Sequence, residues 1–306
     1  MIRARIQTGP IAGGVVGVLI ALAGGCASSS TAPTSRPIEL SGSPTVAIAP
    51  SGKLDAALSS PVTRPRVSAS QPAVTPLLTA AAEDPAWQFA PQIDGLVPPL
   101  NGNVTSYDAH DPMPLPTQVR LLWDAHNLYV RITCVGPKPY SPFGNKRDAK
   151  QYQGDAVEVF LDPMGDQRQY FEIQVSAANG VLDQNTLVTT EPKNDPDGAL
   201  THEILMSNYW PNLGYDIAGL RTATSVAGDG DQTTWITDIA IPADAVMHRL
   251  NTKTLEPRTV RMNFVRYHWL APVEDKSRTL HPLNWSPTRW GCPHQSPAAM
   301  GYVDLK

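Results

Sequence analysis

Three acidic residues, Glu158, Asp162 and Glu172, stand where carboxylate chemistry could be assembled. Glycoside hydrolysis needs two carboxyl groups across a sugar bond, one to protonate and one to attack or to activate water. The spacing here does not single out a pair. Glu158 and Asp162 share one face of an alternating run, as is common in half-exposed strands. The histidines, at 110, 126, 202, 248, 268, 281 and 294, form no H-x-x-x-H or Cys-His metal spacing. Neither a G-x-S-x-G elbow nor a glycine-rich phosphate loop is present. Catalysis is therefore not expected. Asp162, Asp166 and Asn179 fall in turns of a type that can hold an oxygen-ligated ion such as structural Ca²⁺, although acidic turns are usually just solvated.

The clearest chemistry belongs to Cys26. Arg3 and Arg5 precede an apolar run from Ile11 to Ala23, which ends in Leu22-Ala23-Gly24-Gly25-Cys26. The run is too short and glycine-rich to cross a bilayer core of ~30 Å as a stable helix. A basic start, a short apolar core, small residues and a cysteine make a bacterial lipoprotein signal, in which residues 1–26 direct export and Cys26 takes the lipid. Leucine sits four residues before Cys26, where three is the commoner spacing, and an ordinary secretory peptide is the competing reading. The lipoprotein reading is preferred because a Ser/Thr tract begins directly after Cys26. It places the protein in the cell envelope, anchored to a membrane. With Ala27 and Ser28 next and no Asp there, nothing favours retention at an inner membrane, so the outer membrane is expected.

From Ala27 to Glu83 the chain is Ser, Thr, Ala and Pro with scattered Val and Leu, and it contains no Phe, Tyr or Trp. Such a stretch buries too little surface to offset its ordering entropy. Residues 27–83 are expected to be a disordered tether, and residues 84–306 the folded domain. A net charge of −4, from 24 Lys+Arg against 28 Asp+Glu, and no basic stripe argue against nucleic acid as partner. Cys134 and Cys292 either form one disulfide or are separate buried thiols, and the strand setting of Cys134 favours the second.

Alternation predicts the elements that must position any site. Thr117 to Trp123 and Leu128 to Cys134 read as a hairpin around Asp124-Ala-His-Asn127. Asp155 to Asp162 and Gln169 to Val175 read as a second hairpin, with turn signals at Pro163-Met-Gly-Asp166 and Asn179-Gly180. Further strands are expected over Trp235 to Ile241, Thr259 to His268 and Met300 to Leu305, with a short helix from Ala243 to Leu250. Gln184 to Pro211 shows no period and is expected to be a surface insertion. The fold class is all-β, an antiparallel β-sandwich.

In this order the segments resemble the family 9 carbohydrate-binding modules of the DOMON-like superfamily, from about Asp84 to the end. The resemblance rests on Asp84-Pro-Ala-Trp87, Val119-Arg-Leu-Leu-Trp-Asp124, Asn127-Leu-Tyr-Val130 and Asp155-Ala-Val-Glu-Val-Phe-Leu-Asp-Pro163. Tyr170-Phe-Glu-Ile-Gln-Val175, Trp235 through Pro242, Arg261-Met-Asn-Phe264 with Arg266, Trp285-Ser-Pro287 and Gly301-Tyr-Val303 complete it. It implies a sugar slot at one rim of the sandwich, framed by two aromatic rings above polar side chains. One ring position, six residues before Glu158, falls on Tyr152, where the family carries Trp. Glu158 is the carboxylate, Gln174 stands where the family has Arg, Trp290 is the second ring, and Arg289 replaces an amide. Flat rings suit the C–H faces of a pyranose, and carboxylates and amides suit its hydroxyls. Read as residues alone, Tyr152 is equally a surface aromatic, Trp290 a cover on the core, and Glu158 and Gln174 members of a solvated face.

The expected function is non-catalytic carbohydrate binding at the cell envelope, with oligo- or polysaccharide as ligand and a glycoside hydrolase as partner, since such modules are often fused to polysaccharide hydrolases. A haem or redox role, found in other DOMON-like branches, is the alternative. It would need axial ligands across an apolar slot. Met262 and His268 share a strand but have no identifiable opposing partner, and a core methionine and surface histidine explain them better. A third reading is an accessory domain with no ligand of its own.

Overall fold

A computed structural model of the chain describes residues 63–98, 115–188, 209–269, 280–288 and 297–306. The strands are β1 (Arg66–Ala69), β2 (Gln92–Asp94), β3 (Thr117–Trp123), β4 (Asn127–Gly136), β5 (Ala156–Asp162), β6 (Gln169–Ser176) and β7 (Val181–Val188). They continue with β8 (Tyr209–Asn212), β9 (Arg221–Ala227), β10 (Thr233–Pro242), β11 (Arg258–Trp269), β12 (Leu280–Asn284) and β13 (Gly301–Leu305). The larger sheet runs β1-β13-β11-β5-β6-β7-β8, with β12 also paired to β11, and the smaller runs β2-β3-β4-β10-β9. All pairings are antiparallel except β1 with β13. This is the β-sandwich expected from the alternation.

The interior follows from that alternation. Val119, Leu121, Val130 and Ile132 of the smaller sheet meet Val157, Val159, Ile173 and Phe264 of the larger one. Each such side chain taken out of water contributes about 1.5–3 kcal/mol. The β3–β4 turn closes as its residues dictate. Asp124 Oδ1 accepts the His126 and Asn127 backbone N–H groups, and Oδ2 accepts the Tyr129 hydroxyl at 2.7 Å. Asp162 does the same for the β5–β6 turn, accepting N–H groups from Met164, Gly165 and Gln167.

The outer face of the smaller sheet is covered too. The Asp84-Pro-Ala-Trp87 segment forms a 3₁₀ turn and packs Trp87 against Leu122, Tyr129 and Ala240. Beneath it Arg131 on β4 faces its Cα partner Asp238 on β10 through hydrogen bonds of 2.7 and 2.8 Å, with its guanidinium 4.9 Å from the Trp87 ring centre. Asp238 also accepts the Ala80 N–H at 2.8 Å. A buried charge pair is tolerable only when its remaining polar valences are met, and here they are.

Three expectations need correction. The folded part begins before Asp84, because β1 lies inside the stretch read as tether. It pairs with β13 through Arg66↔Tyr302 to Ala69↔Leu305, Arg66 bridges Asp304 at 2.6 Å, and Ala69 is buried. Neither aromatics nor periodicity announce this strand, because β13 supplies its pairing edge. A Cβ on Gly301 would come within 2.8 Å of the Pro65 carbonyl, so the approach of this segment depends on that glycine. Gln184 to Pro211 is not wholly an insertion either. Gln184–Val188 belong to β7 and 209–211 to β8; residues 189–208 lie outside the described residues. The short helix ends at Val246, and His248–Leu250 is a 3₁₀ turn. The expected signal, Cys26 and most of the tether also lie outside the described residues.

Candidate functional site

Alternation decides which side chains leave the sandwich interior. On β5, Val157, Val159 and Leu161 point inward, so Glu158 and Phe160 point to the outer face of the larger sheet. On β6, Phe171, Ile173 and Val175 point inward, leaving Tyr170, Glu172 and Gln174 outward. The register sets Glu158 against Gln174 and Phe160 against Glu172, and then Glu172 against Gln184 of β7.

This outer face is not solvated. Phe160, Tyr170, Val188, Val265, Tyr267, Trp269, Leu280 and Met300 form a second apolar layer, with Tyr152 packed against it. Within that layer Glu158, Glu172, Gln174 and Gln184 are buried, Glu158 at 1% exposure. The solvated-face readings of Glu158 and Gln174 are therefore overturned.

The polar groups form a connected set. Glu172 accepts the Gln174 amide on Oε1 and the Gln184 amide on Oε2, both at 2.6 Å. Gln174 Oε1 accepts the Tyr152 backbone N–H at 3.2 Å, and the Tyr152 carbonyl accepts the Trp269 indole N–H at 2.9 Å. Tyr152 sits in a 3₁₀ turn, Gln151–Gln153, and is thus tied to both the polar set and the apolar layer. Among the described residues, buried atoms on this face with no hydrogen bond within 3.5 Å include Glu158 Oε2, Gln184 Oε1, Thr186 Oγ1 and both side-chain amide atoms of Asn284; the Tyr267 hydroxyl lies close enough to Glu158 to act on it as a donor.

Burial disfavours charge here. It pushes the Glu172 carboxyl up to about 6, against the opposing pull of the two amides. Glu158 is pushed well above the usual carboxylate range by burial and then by the Glu172 charge, with Tyr267 working weakly the other way. Burial and both carboxylates also raise Tyr267 and Tyr152.

Of the residues read from the sequence, the structure brings Tyr152, Glu158 and Gln174 together. Arg289 and Trp290 lie outside the described residues, although the turn leading to them is well held. Asn263 donates to the Ser286 carbonyl and accepts its N–H, each at 2.9 Å, and Trp285 packs 5.4 Å from Phe264 between ring centres. Gln184, Thr186 and Tyr267 share this face without having been singled out in the sequence, and Glu172, considered there only as a catalytic carboxylate, was not among the expected sugar contacts. Glu172 carried a signal, since it is two residues before Gln174 and so shares its face.

The other candidates resolve differently. Asp162 and Asp166 share the β5–β6 turn, where Asp162 serves backbone N–H groups and Asp166 pairs with Arg249. Asn179 lies in the turn at the opposite end of β6, so these three do not converge on an ion. Asp148, Asp183 and Asp216 do gather, but around Arg147, which pairs with Asp183 and Asp216. Met262 is a core residue, whereas His268 is not a surface histidine. It is buried, with Nδ1 3.0 Å from Asp155. Cys134 is a buried free thiol raised by burial, and Cys292 lies outside the described residues.

Comparison with known proteins adds the following. A family model described as "Carbohydrate family 9 binding domain-like" matches residues 81–260. No curated protein matches the chain. A candidate carbohydrate-binding protein from Bacteroides uniformis ATCC 8492 is 16% identical, covering 79% of this chain and 100% of that one, with a TM-score of 0.53. A family 9 carbohydrate-binding module from Caldicellulosiruptor kristjanssonii in complex with glucose is 18% identical, over 79% of this chain and 96% of that one, with a TM-score of 0.49. A family 9 module from the same organism in complex with cellotriose is 19% identical, over 79% and 94%, with a TM-score of 0.45. The first of these likenesses bears on the fold, a β-sandwich of the same kind.

Proposed function

The chain belongs to the carbohydrate family 9 binding domain-like family, and from that premise we propose a module that holds glycan without cleaving it. The observation that carries this reading is the outer-face set. Glu158 Oε2 and Gln184 Oε1 are buried acceptors with no hydrogen bond within 3.5 Å, beside Tyr152, whose backbone N–H is held by Gln174. Leaving a buried acceptor unmet costs about 1–3 kcal/mol. A pyranose supplies hydroxyl donors for such atoms and a C–H face for the Tyr152 ring. Trp290 and Arg289 join the slot in this proposal by their family positions.

Binding without cleavage is favoured by Glu172. Both of its oxygens are engaged by amides, which suits a fixed acceptor better than a group that must exchange protons with substrate. The cellular setting is part of the same proposal: lipid on Cys26, a stalk, and a sugar-binding head outside the cytoplasm, serving a polysaccharide hydrolase. The test is a glycan array probed with the full chain and with its Glu158→Ala variant. Retention of gluco-oligosaccharides by the wild type and their loss in the variant would support the reading. An array with no retained glycan would overturn it.

A further inference from the structure

We propose, resting on the reading that this face takes a sugar, that Asn284 is a further glycan contact, and that with Glu158 it brackets one pyranose from opposite rims. The register places it. Across the outer face of the larger sheet, Asn284 of β12 pairs with Val265 of β11, and Val265 pairs with Glu158 of β5. Neighbouring strands lie about 4.8 Å apart, so the two polar residues stand about 10 Å apart with an apolar side chain between them. A pyranose lying over this row presents the same order: hydroxyls, a C–H face, hydroxyls. The strand that ends at Asn284 also leads directly into the segment that carries Arg289 and Trp290.

The amide itself points to a ligand. Asn284 is 0% exposed, yet among the described residues neither its side-chain nitrogen nor its side-chain oxygen makes a hydrogen bond within 3.5 Å. Its backbone is held on the strand, with the N–H donating to the Val97 carbonyl at 2.7 Å and the carbonyl accepting the Val97 N–H at 2.8 Å. Asn263, on the same face of β11, shows how the fold otherwise meets such a group: its amide donates to the Ser286 carbonyl and accepts the Ser286 N–H. A buried amide left unmet is costly, and each one calls for an explanation. Two adjacent hydroxyls of a sugar supply what Asn284 lacks, one donating to its oxygen and the other accepting from its nitrogen. Val97, the partner of Asn284 on the side away from Glu158, is 45% exposed, so the row reaches solvent there.

The experiment is a calorimetric titration of the full chain, as wild type, Asn284→Leu and Glu158→Gln, with glucose and its singly deoxygenated analogues, each protein with a thermal melt. A site built to bond a hydroxyl rejects the analogue that lacks it, so the wild type is expected to lose about tenfold in affinity at each position it reads. Two adjacent penalties should vanish in Asn284→Leu and persist in Glu158→Gln. Asn284→Leu should also bind glucose about tenfold more weakly than the wild type and melt no lower, because a buried unmet amide has been removed. If that variant does not fold, Asn284→Ala carries the same comparison. Glucose bound equally by wild type and variant, or a pattern of penalties unchanged by the substitution, would overturn the inference, assign the amide to ordered water and leave carbohydrate binding standing. Absence of binding of every one of these sugars by the wild type would overturn both.

Discussion

Glu158 on β5 and Gln174 on β6 are Cα partners whose side chains lie buried on the outer face of the larger sheet. Gln174 does not spend its amide on Glu158. It donates to Glu172 and accepts from the backbone of Tyr152. One side chain therefore holds both a buried carboxylate and the backbone of the turn that carries Tyr152.

Removing that link has a signed consequence. The Gln174 hydrogen bond pulls the Glu172 carboxyl down, against burial. In Gln174→Leu the Glu172 carboxyl should titrate above its value of about 6, and stability should fall by about 1–3 kcal/mol for the acceptor left unmet. Carboxyl-carbon chemical shifts followed against pH, with a urea melt, check both.

The pH dependence of folding follows from the same residue. The Glu172 carboxyl is raised from its ordinary value of 4.5 to about 6 in the folded protein, so the folded state binds the proton more tightly than the unfolded one. Its contribution is fully present below about pH 4.5 and is lost as pH rises through about 6, a span worth about 2 kcal/mol. Glu172→Gln should remove this downward slope. Unfolding free energies at a series of pH values, wild type minus variant, isolate it from carboxyls of opposite sign such as Asp124 and Asp166.

On the opposite face, the Arg131–Asp238 pair makes a stability prediction that is independent of ligand. Asp238→Asn leaves the buried Arg131 guanidinium with only the more distant Asp84 carboxylate, 3.9 Å away, as counter-charge and loosens the Ala80 contact. The expected loss is about 3–5 kcal/mol in chemical denaturation. A loss under ~1 kcal/mol would mean that the pair is solvated in solution.

The early boundary of the fold can be checked by protease. With β1 paired to β13 and Ala69 buried, the resistant fragment should begin before Arg66 by mass spectrometry. A fragment starting at Asp84 would show that β1 detaches. A chain truncated to start at Asp84 should melt at a lower temperature, because it exposes the edge of β13.

Much of the sandwich was legible because its central strands alternate. Thr117–Trp123 was read to the residue, and β4, β5, β6, β10, β11 and β13 came within a few residues. The strands that escaped have reasons. β7 reads Val-Leu-Asp-Gln-Asn-Thr-Leu-Val, and its polar positions look exposed until Glu172, Arg147 and Gln169 are placed against Gln184, Asp183 and Asn185. β1 and β12 are defined by the edges they join, which local sequence does not encode. At the candidate site the face of the sheet was legible and the environment was not. Alternation put Glu158 and Gln174 outside the core, yet nothing local revealed the second apolar layer, because it is assembled from β5, β6, β7, β11, β12 and the segment before β13.

The central claim is that Glu158 on this face holds sugar, and the most direct measurement is a calorimetric titration of wild type and Glu158→Gln with one gluco-oligosaccharide, each with a thermal melt. The substitution keeps the shape and removes the carboxyl. The account predicts saturable binding by the wild type and about a tenfold or greater loss in the variant, with Tm unchanged or raised because a buried acid has been removed. Equal affinity in the two proteins, at equal Tm, would contradict it.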